Sequence, residues 1–318
     1  MHSPLSVRIL IALFAVCMSG CRSTAPNTDN SRYELFVLGA AQDGGMPHLG
    51  CEKQCCTQAR ETGRIETPAC LGVHDRETGQ LALFEATPAV ESQVAQLHSL
   101  SGVSNRGRKP VDAVLLTHAH IGHYLGLAQF GHEVASTKEL AVHVSPRMAA
   151  FLREHGPWSQ LIDMKQLELR ELTPGEPFEV LPGLFVTANA VPHRDEFSDT
   201  MAFTIHGPNR TVLFVPDIDS WTGAPGLLDS LLVGVDVAYL DATFYDGREL
   251  PGRNIADIPH PPMVDTMRRL AEEARAMPGR FRFIHLNHSN PVWYDRALRA
   301  DLEKRGFRVA ASGERVGL

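Results

Sequence analysis

Three histidines fall within Thr117-His118-Ala119-His120-Ile121-Gly122-His123, directly after the apolar run Val114-Leu115-Leu116. A short apolar run of this kind reads as a buried strand, so the imidazoles stand where the chain leaves the core. Histidine is only intermediate in its preference for burial, and each buried ring needs polar partners. Neutral imidazole is also the commonest metal ligand. A loop leaving a strand can turn alternate side chains towards one ion. A solvated histidine-rich loop is the alternative, but it does not account for further candidates after later apolar runs. His193 follows Phe185–Ala190, Asp217 follows Thr211–Val215, and His285 closes Arg282-Phe283-Ile284. Layered sheets collect their sites at strand ends, where loops are free to carry polar groups. Singly, His193 reads equally as a loop residue and Asp217 as a turn residue. Together with the cluster they form an ordered set of imidazole and carboxylate donors.

The chain around these donors reads as one α/β layered domain over residues 33–318. Strands are predicted at Glu34–Ala40, Leu81–Glu85, Ala113–Leu116, Ala141–Val144, Phe185–Ala190, Met201–Ile205, Thr211–Val215, Val237–Leu240 and Arg282–Leu286. Helical spacing is present in Val90–Leu100, Arg147–Glu154, Met263–Ala276 and Tyr294–Arg305. A hydrophobic content of 43% can fill a full core. Ahead of the domain, Arg8 precedes the apolar run ILIALFAVCM and the small residues Ser19-Gly20-Cys21. That is the order of a secretory signal, and the run is short of the ~20 apolar residues that span a bilayer as a helix. Met18-Ser19-Gly20-Cys21 resembles a bacterial lipobox. The resemblance implies removal of residues 1–20, acylation of Cys21 and a flexible tether over residues 21–32. The protein is then exported and lipid-anchored in the periplasm or cell envelope, touching the membrane only through that anchor. Loss of Arg8 moves the net charge from −7 to −8. No basic block is present, so nucleic acid is not an expected partner; a small-molecule substrate is.

Of six cysteines, Cys17 and Cys21 belong to the export segment, leaving Cys51, Cys55, Cys56 and Cys70. Disulfides are the ordinary use of cysteine in an exported protein. Cys55 and Cys56 are adjacent, however, and adjacent cysteines bridge each other only with strain. Clustered thiolates suit zinc. Both readings stand at this level.

A glycine after the first strand, an HxHxxH cluster, a histidine, an aspartate and a last histidine, in this order, resemble the metallo-β-lactamase superfamily over residues 34–318. The resemblance implies an αββα four-layer sandwich with its site at one edge of two sheets. It implies His118, His120 and His193 as ligands of a first metal, Asp217 as a bridge, and His123 and His285 as ligands of a second. VPHRDEFSDTMAF, PDIDSW, DATFYDG, FIHLNHSNP and DGGMPHLGC resemble stretches of the coenzyme PQQ synthesis protein B branch. Phosphodiesterases of the phosphonate pathway share the cysteine cluster and an HxxH near the end. By that similarity His285 serves the active site, and His288 joins Cys51, Cys55 and Cys56 at a structural zinc, with Cys70 the alternative thiolate. The superfamily usually has aspartate just before the third histidine of its cluster; here that residue is Gly122. One or two active-site metals are therefore expected, the second held weakly unless Asp219, Asp43 or Asp199 compensates.

With zinc, the expected chemistry is hydrolysis, with Asp217 and His193 as catalytic residues. Zinc lowers the pKa of its water to ~7, and the hydroxide attacks an ester, lactone or phosphodiester while the metal stabilises the developing charge. Asp195, Asp219 and Asp241 are candidates to fix histidine tautomers, or equally turn and cap residues. Tyr245 reads as a core aromatic or as a hydroxyl in the cleft. With iron, His118, His120, His193 and Asp217 make a donor set suited to oxygen chemistry, and the resemblance implies an oxygenase of quinone-cofactor biosynthesis. A third reading is a non-catalytic carrier of a small molecule or metal.

Overall fold

Phe36 and Leu38 face one side of strand β1 (Tyr33–Gly39), Leu35 and Val37 face the other, and all four are buried. Side chains alternate along a strand, so this strand has a packed layer on each face. The structure is a computed structural model that describes residues 31–254 and 258–318. The expected signal, Cys21 and most of the tether lie outside the described residues. Among the described residues no helix is long and apolar enough to cross a membrane.

β2 (Cys70–Asp75), β3 (Leu81–Phe84), β4 (Ala113–Leu115), β5 (Leu140–Val144) and β6 (Leu167–Glu171) continue the sheet that β1 begins. A second sheet holds β7 (Pro177–Leu181), β8 (Leu184–Val191), β9 (Thr200–His206), β10 (Thr211–Val215), β11 (Val237–Asp241), β12 (Phe281–Ile284) and β13 (Arg308–Val309). The last strand, β14 (Arg315–Gly317), returns to pair with β1. Leu35, Val37 and Phe84 of the first sheet share one core with Phe203 and Phe214 of the second, the Phe84 ring meeting both edge-on. Phe36 and Leu38 pack instead with Leu97, Met148 and Leu152, from helices Val90–Ser101 and Pro146–Glu154. Met263, Met267 and Leu302, from helices flanking the second sheet, complete the inner core cluster. The architecture is the helix–sheet–sheet–helix sandwich expected from the sequence.

Strand direction places the site. β1 and β3 both run antiparallel to β2, and β4 runs parallel to β3. β8 and β10 both run antiparallel to β9, while β11 and β12 run parallel to β10. The C-terminal ends of β1, β3 and β4 thus lie on one edge of the first sheet, and those of β8, β10, β11 and β12 on one edge of the second. The two edges are stitched together. Met201 N–H donates to Thr117 O at 3.0 Å, Gln42 N–H to Leu286 O at 2.8 Å, and Leu286 N–H to Ala40 O at 2.9 Å.

Some boundaries differ from the pattern. The helix expected over Met263–Ala276 is interrupted at Leu270, giving Met263–Arg269 and Ala271–Ala276. The last core strand stops at Ile284 because His285 turns into the left-handed region, with φ 64°. Asp295 caps the closing helix by accepting from Ala297 and Leu298 N–H, so that helix starts at Arg296 and not at Tyr294.

Candidate metal centre

His118 and His120 leave the end of β4, His193 the end of β8, and Asp217 the end of β10. His118 Nε2 lies 2.8 Å from His120 Nδ1, and His193 Nε2 lies 3.1 Å from that same nitrogen. Asp217 Oδ2 is 3.1 Å from His193 Nε2 and 3.5 Å from His118 Nε2. Beside this group, Asp43 Oδ1 is 3.1 Å from His123 Nε2 and 3.5 Å from His285 Nε2. Asp217 Oδ2 reaches this second group as well, at 3.8 Å from His123 Nε2 and 3.9 Å from His285 Nε2. One carboxylate oxygen therefore adjoins both sets.

The spacing fits a metal. Tetrahedral zinc with nitrogen and oxygen ligands at ~2.0–2.1 Å has ligand-to-ligand edges of about 3.3 Å. Asp43 Oδ1, His123 Nε2, Asp217 Oδ1 and His285 Nε2 are buried with no hydrogen-bond partner among the described residues. Leaving such atoms unpaired costs roughly 1–3 kcal/mol each, more for charged groups. Asp43, His123 and His285 bring donor atoms within 4.8 Å of one another, a crowding that a cation relieves.

Outer partners hold the rings in register. Glu85, fully buried at the end of β3, accepts from the Thr117 hydroxyl and lies 3.1 Å from His123 Nδ1. With its proton given to Glu85, the Thr117 oxygen accepts from His118 Nδ1–H at 2.8 Å. His118 and His123 thus both present Nε2 to the centre. Asp219 Oδ1 accepts from His193 Nδ1 at 2.8 Å, and Thr243 Oγ1 sits 2.9 Å from His285 Nδ1. Such partners fix the tautomer and raise the basicity of a ligand. Burial pushes the Asp217 carboxyl up, but His260, His285, His118 and His193 outweigh it and hold it well below the usual carboxylate range.

His260 was not singled out in the sequence. Its Nδ1 lies 2.9 Å from Asp241 Oδ2 and 3.2 Å from Asp217 Oδ1. Burial lowers its pKa, but Asp241 and Asp217 more than reverse this and push it up to about 9. It follows no apolar run in the sequence, and its signal there is the proline on either side. Glu85 was legible only as the last residue of an apolar strand. Of the other acidic candidates, Asp195 is a correction: it is exposed and paired with Arg147 at 3.1 Å, so it orients no imidazole. Asp199 accepts from Ser145, the cap of helix Pro146–Glu154, and does not compensate for Gly122. Tyr245 packs in the core.

The cysteine cluster forms a separate set. His288 Nδ1 lies 3.7 Å from Cys51 Sγ, 3.6 Å from Cys55 Sγ and 3.3 Å from Cys56 Sγ. Zinc bonded to sulfur at ~2.3 Å and nitrogen at ~2.0 Å gives sulfur-to-nitrogen edges of about 3.5 Å. Burial, with His48 and Lys53 nearby, pushes His288 down to about 4 and keeps its ring neutral. Cys55 and Cys56 sit in the first turn of helix Gln54–Thr62, which the sequence pattern did not reveal. Cys51, Cys55, Cys56 and Cys70 are free thiols, and Cys70 is buried in β2 with its sulfur against Glu85 O, in the other core cluster.

This sandwich with its strand-end donors is of a known class: the chain belongs to the family described as the beta-lactamase superfamily domain, which matches residues 82–316. Within that class it is similar to coenzyme PQQ synthesis protein B. The protein from Rhizobium meliloti (strain 1021) is 25% identical over 319 aligned residues, covering 91% of this chain and 99% of the relative. The protein from Methylobacterium sp. (strain 4-46) is 26% identical over 306, covering 88% and 98%. Among solved structures, zinc-bound PqqB from Methylobacterium extorquens has the same fold, with a TM-score of 0.73, 21% identity and coverage of 90% and 100%. A diphosphatase from the PhnP family has a TM-score of 0.65 at 19% identity, covering 89% and 96%.

Proposed function

We propose that this protein is a zinc-dependent hydrolase of a small, uncharged ester or lactone. The observation that carries this reading is the convergence of His118, His120, His193 and Asp217 on one point, with Asp217 Oδ2 shared by a second point between Asp43, His123 and His285. A zinc-bound relative of the same fold supports the choice of metal. When bound there, zinc supplies Lewis acidity and acidifies water to a pKa of ~7.

The chain's own residues supply the rest. Asp219 and Glu85, the latter partly through Thr117, keep the imidazoles turned inward. Asp217 stays ionised and orients the attacking water. His260, with Nδ1 engaged by Asp241, holds a proton for the alkoxide that leaves as the acyl C–O bond breaks. A cleft of about 560 Å³ opens beside Asp43, lined by Met46, Pro47, Ile65, Pro68 and Ile121. Among the described residues no lysine or arginine lines it, which favours a neutral acyl substrate over a phosphodiester. The exported, lipid-anchored location expected from residues 1–21 belongs to this proposal on the strength of those residues alone.

The test is turnover of simple aryl esters and lactones by the zinc-loaded chain. Cleavage should disappear in His120→Ala. In His260→Asn, kcat should fall roughly 10²–10⁴-fold, the range for a lost general acid, with zinc content unchanged. A zinc-loaded wild type inert towards esters and lactones sinks the proposal.

A further inference from the structure

Gly122 occupies the position where the superfamily usually carries an aspartate, yet it is not a glycine of conformation. It is absent from the residues with positive φ. What it lacks is space. A β-carbon built on it would lie 2.1 Å from Asp43 Oδ1, 2.6 Å from Asp43 Cβ and 2.6 Å from Asp43 Cα. Because the third of these is a backbone atom, no rotamer change at Asp43 makes room. The volume beside His123 that a side chain at 122 would fill is already filled, and a carboxylate fills it.

Asp43 is firmly placed. The residue before it, Gln42, donates through its N–H to Leu286 O, and Gly45 N–H closes a turn back to Gln42 O at 2.7 Å. Gly45, the last residue of that turn, has φ 65°, which glycine adopts without strain. Ala41 bridges both Pro68 and Leu286. The loop is thereby tied to the segment that leaves β12, where His285 and Leu286 lie. Asp43 Oδ1 and His123 Nε2 approach to 3.1 Å, yet neither makes an aligned hydrogen bond, and His285 Nε2 is likewise unpartnered. An ion pair alone would align donor with acceptor. Three buried donor atoms close together but aimed past one another are arranged as ligands are.

We propose that Asp43, on the glycine-rich loop after β1, supplies the carboxylate ligand of the second active-site metal that residue 122 does not. This rests on the metal-centre reading above and adds that the second site is complete. The chain has relocated one ligand, and Gly122 is the complement of that move.

Zinc titration with a chromophoric chelator, together with elemental analysis, tests it in four forms of the full chain: wild type, Asp43→Asn, Asp43→Gly, and Asp43→Gly with Gly122→Asp. Asp43→Asn keeps the shape of the loop. In it the second active-site zinc should weaken by more than about tenfold, the lower end of what losing even an outer partner costs. The first-site and cysteine-bound zinc should not change. Asp43→Gly should lose the second zinc, and the double variant should regain it. An Asp43→Asn chain that binds the second zinc as wild type does overturns the proposal. So does a wild type that takes up only one zinc at the histidines, while zinc lost in His120→Ala keeps the first site standing.

Discussion

Gly122 and Asp43 share one volume: a β-carbon on the first lies 2.1 Å from a carboxylate oxygen of the second. Gly122→Ala is therefore a methyl group pressed into a filled site. Overpacking of this kind costs about 1–3 kcal/mol. The expected result is a lower thermal midpoint together with a weakened second zinc, because the loop must retreat. Thermal unfolding and zinc titration of the variant check both. An unchanged midpoint with unchanged zinc affinity would mean that the loop yields freely and that Asp43 is not fixed.

Glu85 is the shared anchor of two metal-facing imidazoles, touching His123 directly and His118 through Thr117. Glu85→Gln keeps the size but puts an amide where two donors need an acceptor. Loss of an outer partner typically costs 10–100-fold in metal affinity or activity. Zinc affinity at the histidine centre should fall within that range, with the cysteine-bound zinc unaffected. Equal zinc affinity in variant and wild type would contradict the tautomer assignment.

Cys55→Ser should remove one zinc per chain and lower the thermal midpoint, because a structural metal contributes its binding free energy to folding. Ester turnover per remaining histidine-bound zinc should persist. The readout is elemental analysis beside a melting curve. Retention of full zinc content would remove Cys55 from the site, whatever the effect on stability.

His143 gives a pH dependence independent of any metal. Burial, followed by Arg170, pushes its pKa down to about 4 from the ordinary 6.5. The unfolded chain therefore takes up this proton first as the pH falls. His143 contributes its full stability above the unfolded value near 6.5, and that contribution drains away between pH 6.5 and 4. The total is about 3 kcal/mol. His143→Phe, which keeps a ring against Phe178, should lose less stability than wild type across that window in urea unfolding. Parallel losses in the two chains would assign the acid sensitivity elsewhere.

The donors that follow apolar strands were legible in the sequence. His118, His193, Asp217 and His285 each stand where an alternating or buried run stops, and the sheets then bring those stops to one edge. The cysteines and His288 were legible by spacing and by resemblance. Asp43 was legible only as one of three candidates, because a loop residue carries no periodicity and only the packing against Gly122 selects it. His260 was not legible: no apolar run precedes it in the sequence, and its value lies in Asp241 and Asp217, two partners distant in the chain. β2 and the helix Gln54–Thr62 were missed for a related reason. Glycine and histidine dilute the strand pattern of the first, and the helix buries little more than Cys56 and Ala59.

The most direct test of the metal-dependent hydrolase reading is elemental analysis of the purified chain, expressed with both zinc and iron available. The expected result is about three zinc ions per chain, two at the histidine–aspartate centre and one at the cysteines, as their donor types and spacing indicate. Stoichiometric iron at the histidines, with oxygen consumption and no ester cleavage, would contradict it and make the protein an oxygenase.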